Sequence, residues 1–195
     1  MAESYVIGVD FGSDSVRALI VNTETGENVG QGVACYPRWK AGLYQHPEHS
    51  IFRQHPLDYL ESLEKCITTA LAELTEEQKD HVIGIGVDTT GSTPVPVDKN
   101  GTPLALLDEF AENENAMFFL WKDHAAAAEA DEINKLFRNN SENDYTKYQG
   151  DYSAEWYWAK ILYAVRHDEA IRQAAYTWEE HCDWMTGILC GETRP

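Results

Sequence analysis

The chain has 195 residues, which is enough for one large domain with its own hydrophobic core. Hydrophobic residues make up 43% of it and aromatic residues 11%, so an intrinsically disordered chain is excluded. The formal charge of −18 disfavours nucleic acid and anionic membranes as partners, because both bind basic surfaces.

The sequence predicts neither a membrane span nor an export signal. No segment approaches the ~18 consecutive apolar residues of a span, and residues 1–4 lack a basic region followed by an apolar stretch. The 4 cysteines have no Cys-x-x-Cys spacing. Thiols in a reducing cytoplasm are favoured over metal or disulfide use, so we expect a cytoplasmic protein.

The first two predicted strands, Tyr5–Asp10 and Val16–Asn22, enclose a short turn that carries a glycine and hydroxyl groups. The first strand delivers the Asp10 carboxylate into this turn. Backbone N–H groups of such a turn can hold phosphate oxygens while the acid holds magnesium through water. An ordinary hairpin turn explains the same residues. The turn residues concerned are Gly12, Ser13 and Ser15.

A third strand, Asn28–Tyr36, completes a predicted antiparallel meander, and an ordered loop follows over residues 37–56. Pro56 then opens a helix whose leucines and isoleucine recur at spacings of three and four up to Leu74. His81–Asp88 predicts a second buried strand ending in an acid, and Gly84 and Gly86 suggest a close backbone approach. If the two acid-ending strands are neighbours, Asp10 and Asp88 share one edge of the sheet; a capping role for Asp88 is the alternative.

The second half is predicted to be mainly helical. Pro94–Val97 and Thr102–Leu106 flank an Asn-Gly turn and predict a hairpin. Beyond residue 115 we expect helices over Ala116–Asn134, Ala154–Arg166, Asp168–Ala175 and Tyr176–Gly187, with Ser153 as the N-cap of the second.

Three segments could contact a sugar. The Thr89–Thr93 loop offers hydroxyl and N–H donors around a glycine, and Trp121–His124 sets an aromatic face beside charged groups. Tyr148–Trp156 has a similar composition. Each segment is also explained without a ligand, as a polar loop, a core tryptophan or packing at a helix start.

Residues 10–17 resemble the first phosphate motif of the actin, Hsp70 and sugar-kinase superfamily. Residues 83–98, 120–125, 148–156 and 182–187 together resemble the FGGY carbohydrate kinases, over essentially the whole chain. The resemblance implies an α/β, ribonuclease H-like (actin-like ATPase) domain, with a mixed central sheet that contains an antiparallel β-meander and is flanked by helices. Residues 1–195 would be the N-terminal domain, with a sheet core over about 1–110 and a mainly helical part over about 111–195. The C-terminal domain would lie outside this chain.

The resemblance also implies an activity: ATP-dependent phosphorylation of ribulose at its terminal hydroxyl, in arabinose breakdown. Xylulose, or another pentulose or polyol, is the alternative substrate. Asp10 would help to hold Mg²⁺, and Gly12, Ser13 and Ser15 would face the ATP phosphates. The catalytic base is expected beyond Pro195, so no catalytic residue is assigned within the chain and the isolated chain should be inactive. The residues expected near the sugar are Gly91, Ser92, Trp121, Lys122 and Tyr148.

The expected partners are therefore a ketopentose and ATP, without nucleic acid or membrane, and a homo-oligomer of the full-length protein is compatible with the sequence. Two other classes stay open. In a ribonuclease H-like nuclease, Asp10 and Asp88 would be paired metal ligands, although the net charge opposes a nucleic-acid groove. In a non-catalytic actin-like nucleotide switch, the Trp121–His124 segment would have no evident purpose.

Overall fold

The computed structural model describes residues 3–140, 142 and 144–195. Its strands are β1 (Tyr5–Phe11), β2 (Ser15–Asn22), β3 (Asn28–Cys35), β4 (Gln45–His46), β5 (Ile51–Gln54), β6 (Val82–Thr89), β7 (Pro94–Val97), β8 (Phe118–Phe119) and β9 (Thr177–Glu180). Its α-helices are α1 (Pro37–Lys40), α2 (Pro56–Leu71), α3 (Glu76–Asp80), α4 (Ala127–Asn139), α5 (Thr146–Gln149), α6 (Tyr157–His167), α7 (Glu169–Ala174) and α8 (His181–Cys190). None of the described helices is long and apolar enough to cross a membrane.

The chain forms two compact units. Unit 1 consists of the N-terminal residues up to Leu43 together with His55–Thr90, and unit 2 consists of Tyr44–Gln54 together with Gly91–Pro195. Unit 1 holds a four-stranded sheet in the order β3-β2-β1-β6. The first three strands are antiparallel neighbours, whereas β6 runs parallel to β1. The predicted mixed sheet with an antiparallel meander is therefore confirmed.

Helix α2 covers one face of the unit 1 sheet. It begins at Pro56, as predicted, and the His55 side chain caps it by accepting a hydrogen bond from the backbone of the first turn. Two glycines of β3 let the helix pack closely. A Cβ added at Gly32 would lie 2.1 Å from the Cys66 carbonyl oxygen, and one at Gly30 would lie 2.6 Å from that of Ala70. The close approach of helix and sheet therefore requires glycine at both positions.

Strand β6 is exposed, which contradicts the predicted buried strand. Ile83 is 70% exposed and Ile85 is 41% exposed. The predicted close approach at the β6 glycines is also wrong: a Cβ at Gly86 would find no atom of the described residues within 4 Å, and one at Gly84 would find only Val6, at 3.9 Å. The apolar run was interpreted as buried because burial is its usual cause, but α2 packs against β2 and β3 instead.

Unit 2 combines short strands with helices. Strand β7 pairs with β9, and Pro94 lies opposite Glu180. The predicted hairpin partner of β7, Thr102–Leu106, is wrong: the Asn-Gly turn forms, but it leads through a single bridge at Pro103 into a 3-10 helix at Leu104–Leu106. Strand β7 finds its partner far along the chain, where the sequence pattern gave no indication of one.

The predicted helix Ala116–Asn134 is also wrong over its first half. Phe118 and Phe119 form β8, pair with β5 and are fully buried, so tertiary pairing overrides the local helical pattern. Helix α4 begins only at Ala127. The predicted helix Tyr176–Gly187 is wrong over its first part, where β9 forms, and is confirmed from His181, where α8 begins. Helix α7 confirms the prediction over Asp168–Ala175.

The helix predicted over Ala154–Arg166 exists as α6 but begins at Tyr157, with Trp156 as its N-cap. The predicted N-cap role of Ser153 is therefore wrong. Its hydroxyl accepts a hydrogen bond from the backbone N–H of Glu155, one turn before the helix. The region 37–56 is ordered, as predicted, and contains α1, β4 and β5.

Candidate functional site

The turn between β1 and β2 is closed by its own backbone. The Gly12 N–H donates to the Ser15 carbonyl oxygen at 3.0 Å, so this N–H is used within the hairpin. Ser15 is buried at the start of β2, while Ser13 is partly exposed in the turn. The glycine and the hydroxyls predicted to face phosphate therefore lie in one tight turn, where Ser13 offers the more accessible hydroxyl.

Asp10 and Asp88 lie opposite each other in neighbouring parallel strands. Their Cα atoms are therefore ~4.8 Å apart. Because β1 and β6 are neighbours, the prediction that the two acids share one edge of the sheet is confirmed. The Asp10 carboxylate forms an ion pair with Arg17, with 3.0 Å between Oδ2 and Nη1, and both side chains are about half exposed.

Two carboxylates at one sheet edge suit Mg²⁺, a hard cation that is held by one or two carboxylates, keeps several waters and binds phosphate oxygens. Within the described residues no group of three or more His, Cys, Asp or Glu side chains is arranged to hold a metal. The donors at Asp10 and Asp88 therefore fit a magnesium ion that is completed by water and phosphate, and they do not form an all-protein cage.

In unit 2, two side chains hold the turn after Thr90. They contact the two ends of the peptide group between Ser92 and Thr93. Ser92 has a φ of +52°, a left-handed conformation that few non-glycine residues adopt. The Lys160 ammonium donates to the Ser92 carbonyl oxygen at 2.5 Å, and the Thr93 N–H donates to a Glu180 carboxylate oxygen at 2.8 Å. Burial lowers the pKa of Lys160 to about 7 and raises that of Glu180.

The segment that contains Trp121 and Lys122 is held by buried polar groups. The Lys160 ammonium, which also donates to Ser92, donates a hydrogen bond to the Leu120 carbonyl oxygen at 2.9 Å. Asp123 is fully buried; it accepts from the Phe52 N–H at 2.7 Å and pairs with the buried Arg53 guanidinium. The Asp123 side chain therefore supports the segment.

Trp121 is 43% exposed, and the Lys122 ammonium lies 4.6 Å from the centre of the Phe52 ring. The Trp121 side chain is therefore exposed next to the anchored segment, and the Lys122 side chain is partly buried against Phe52.

Ser92 also lines a pocket of about 570 Å³ in unit 2, which we call the aromatic pocket. Aromatic rings and carboxylates line it together, a combination that suits a polyol, because apolar C–H faces stack on rings while hydroxyls bind acids. The other lining residues are Tyr152, Trp156, Tyr157, Trp158, Trp178, Glu179, Glu180 and Asp183.

The predicted sugar residues do not all meet at this pocket. In the part of the chain that the structure describes, Gly91, Trp121, Lys122 and Tyr148 are absent from its lining. Tyr148 lies on α5 and is 88% exposed. The pocket residues that sequence reasoning missed come from the start of α6, from β9 and, in Asp183, from α8. The aromatic composition of Tyr148–Trp156 indicated part of this set, but the contribution of β9 depends on its pairing with β7.

Comparison with known proteins identifies the family. Residues 5–193 match the model of the FGGY family of carbohydrate kinases, N-terminal domain. A ribulokinase from Vibrio parahaemolyticus is 53% identical over 194 residues, which cover 99% of this chain and 34% of the relative. A ribulokinase from Mycolicibacterium smegmatis is 38% identical over 196 residues, covering 97% of this chain and 35% of the relative. The chain thus spans about a third of the length of these curated relatives.

Solved structures show the same fold at low sequence identity. Xylulose kinase from Bifidobacterium adolescentis matches with a TM-score of 0.71 and 18% identity over 97% of this chain and 34% of that one. Plasmodium falciparum glycerol kinase with ADP matches with a TM-score of 0.64 and 16% identity over 88% of this chain and 30% of that one. The ribonuclease H-like fold is thereby confirmed, and on the family match this chain belongs to the FGGY family of carbohydrate kinases.

Proposed function

We propose that the complete protein containing this chain is an ATP-dependent kinase that phosphorylates ribulose at its terminal hydroxyl, in arabinose breakdown in the cytoplasm. The observation that carries the proposal is the 53% identity, along 99% of this chain, with a relative named ribulokinase. Family membership favours a kinase over the nuclease and the nucleotide switch. In this proposal residues 1–195 belong to the N-terminal domain, with the sheet core over about 1–110 and the mainly helical part over about 111–195.

We assign phosphate and magnesium binding to unit 1. Asp10 would hold Mg²⁺ through water, with Asp88 as a second carboxylate at the same sheet edge, and bound Mg²⁺ would neutralise charge on the ATP phosphates. Ser13 offers a hydroxyl to phosphate oxygens, while Gly12 and Ser15 keep the turn tight through their mutual hydrogen bond. This assignment is supported by the parallel register of the two acid-bearing strands.

We assign sugar binding to unit 2. The anchored turn at Gly91 and Ser92 can offer backbone and hydroxyl groups to the sugar, and Trp121 and Lys122 offer a ring face and an ammonium. Tyr148 remains a weaker candidate, because its exposed ring lies outside the aromatic pocket. The pocket carboxylates of Glu179 and Asp183 add acceptors for sugar hydroxyls.

We place the catalytic base outside these 195 residues. Phosphoryl transfer to a hydroxyl needs a group that accepts its proton, together with donors that stabilise the transferring phosphate. Asp10, which pairs with Arg17, and Asp88 are engaged by the proposed magnesium role, and the Asp123 carboxylate is committed to Arg53 and the backbone. In this proposal, the residues of this chain bind and orient the reactants.

An ADP-release assay of the complete protein tests the proposal. Ribulose should be phosphorylated with a higher kcat/KM than xylulose, glycerol or gluconate, and release should require both ATP and Mg²⁺. Asp10→Asn should raise the Mg²⁺ concentration for half-maximal activity by about tenfold or more, as for other groups that act on a metal through an outer shell. Asp80→Asn, an exposed substitution on α3 of the same unit, is the matched control and should leave this concentration unchanged.

Two results would contradict these assignments. Absence of ribulose-dependent ADP release would refute the proposed activity. Normal magnesium dependence in Asp10→Asn would refute the role of Asp10 but not the activity itself.

A further inference from the structure

Lys160 is fully buried, which is rare for a lysine side chain. It lies in the first half of α6, and its Nζ donates to two backbone carbonyl oxygens. Removing an ammonium from water is costly, so an interior lysine needs strong compensating contacts. The two acceptors lie 68 and 40 residues away along the chain. A single ammonium therefore ties together two segments that are distant in sequence.

The two segments carry candidate sugar residues. One acceptor is the carbonyl oxygen of Ser92, itself a candidate and part of the aromatic pocket. The other is the carbonyl oxygen of Leu120, the residue directly before Trp121 and Lys122. The position of Lys160 thus bears on both segments at once.

Lys160 acts together with Glu180 on one peptide group. The carbonyl oxygen of Ser92 and the N–H of Thr93 are the two ends of the same peptide dipole, and in a trans peptide they point in opposite directions. A cation at the oxygen and a carboxylate at the N–H both match the dipole. This arrangement fixes the plane of the peptide and stabilises the left-handed backbone of Ser92, which carries an intrinsic cost.

We propose that Lys160 is a positioning residue for sugar binding, which holds the Gly91–Thr93 turn and the Leu120–Lys122 segment in the geometry that a bound ketopentose needs. The inference rests on the proposed kinase function and adds to it a residue that need not touch the sugar. Glu180 is its counterpart at the other end of the Ser92–Thr93 peptide.

Lys160→Met tests the inference, because methionine keeps an unbranched side chain but has neither charge nor donors. In the complete protein, hydrogen exchange of backbone amides should speed up in both 91–93 and 120–122. Measured at pH 6.5, where Lys160 is mostly charged because its pKa is about 7, the KM for ribulose should rise at least about tenfold, as expected when a hydrogen bond from a charged group is lost. The KM for ATP should stay within about twofold, a change of ~0.4 kcal/mol. A lysine that only stabilises the fold would not separate the two KM values.

Two further variants complete the experiment. Lys135→Met, on the exposed side of α4, is the matched control and should change neither exchange nor KM. If Lys160→Met does not fold, Glu180→Gln replaces it: the amide still accepts from Thr93, but without charge, so exchange of the Thr93 amide and the KM for ribulose should both rise by a smaller factor.

The outcomes separate this inference from the function on which it rests. Unchanged exchange in either segment, or faster exchange with an unchanged KM for ribulose, overturns the role of Lys160 while the kinase assignment stands. An unsubstituted protein without ribulose kinase activity overturns both.

Discussion

Lys160 should make the stability of this protein rise between pH 7 and pH 9. Burial lowers its pKa from 10.5 to about 7, helped by the nearby Arg53 and opposed by Glu180 and Glu155. Between these two pKa values the unfolded chain carries a proton on Lys160 that the folded chain does not. Unfolding therefore takes up a proton, and the free energy of unfolding increases with pH.

The size of this effect follows from the pKa shift and from complete burial. At about 1.4 kcal/mol per pKa unit, the ionised lysine costs ~5 kcal/mol of stability below pH 7. Raising the pH to 9 should recover ~2 kcal/mol of this, since the unfolded lysine is still largely protonated there. The side chain is fully buried, so solvent screening does not reduce the effect. Lys160→Met removes the titrating group and should remove this part of the pH dependence.

The measurement is urea unfolding at pH 7, 8 and 9, followed by tryptophan fluorescence. Every tryptophan except Trp39 belongs to unit 2, so the signal reports mainly on the unit that contains Lys160. The free energy of unfolding should rise from pH 7 to pH 9 by ~2 kcal/mol more in the unsubstituted protein than in Lys160→Met, and Lys135→Met should behave like the unsubstituted protein. Equal pH dependence in all three proteins would refute the reasoning, because it would mean that Lys160 has an ordinary pKa.

Three further predictions concern packing, a buried ion pair and catalysis. Gly32→Ala should destabilise unit 1 by ~1–3 kcal/mol in thermal or urea unfolding, because its Cβ would meet the Cys66 carbonyl, while Gly86→Ala has space and should not. Asp123→Asn should lower the free energy of unfolding by ~3–5 kcal/mol, since it leaves the Arg53 guanidinium buried without its anion. Removing the exposed carboxylate of Asp151 should lower it by less than ~1 kcal/mol. Equal losses in the two variants would refute this account. The isolated 195 residues should release no ADP with ribulose above a buffer blank, and turnover would show that the catalytic base lies within them.

Local patterns explain what could be predicted of the fold. The meander and α2 follow from apolar residues at spacings of two and of three to four, and Pro56 starts the helix where its sequence position suggests. Strands β8 and β9 escaped prediction because Phe118 and Thr177 lie in short segments whose state is set by partners elsewhere in the chain. The exposure of Ile83 was not predicted for a related reason. An apolar run indicates that a strand favours burial, but it does not indicate whether another element packs against that strand.

The candidate site, too, could be predicted in part from the sequence. Asp10 and Asp88 could be placed at one sheet edge because both end recognisable strands. The polar contacts of the Ser92–Thr93 peptide could not, because Glu180 reaches the Thr93 N–H from 87 residues away and Lys160 reaches the Ser92 carbonyl oxygen from 68. Lys160 also sits in an ordinary helical pattern, where a lysine is expected to face solvent. Its burial becomes visible only in three dimensions.

The open side of β6 has a consequence for handling the protein. Among the described residues β6 is an outer strand of its sheet, and its exposed isoleucines give it the character of an aggregation-prone edge. At neutral pH the charge of −18 keeps copies of the chain apart by repulsion. Acidification towards the isoelectric point near 4.6 removes that repulsion and leaves the strand edge available for pairing. Purification and storage above neutral pH, at low salt so that the repulsion is not screened, should therefore keep the chain monodisperse.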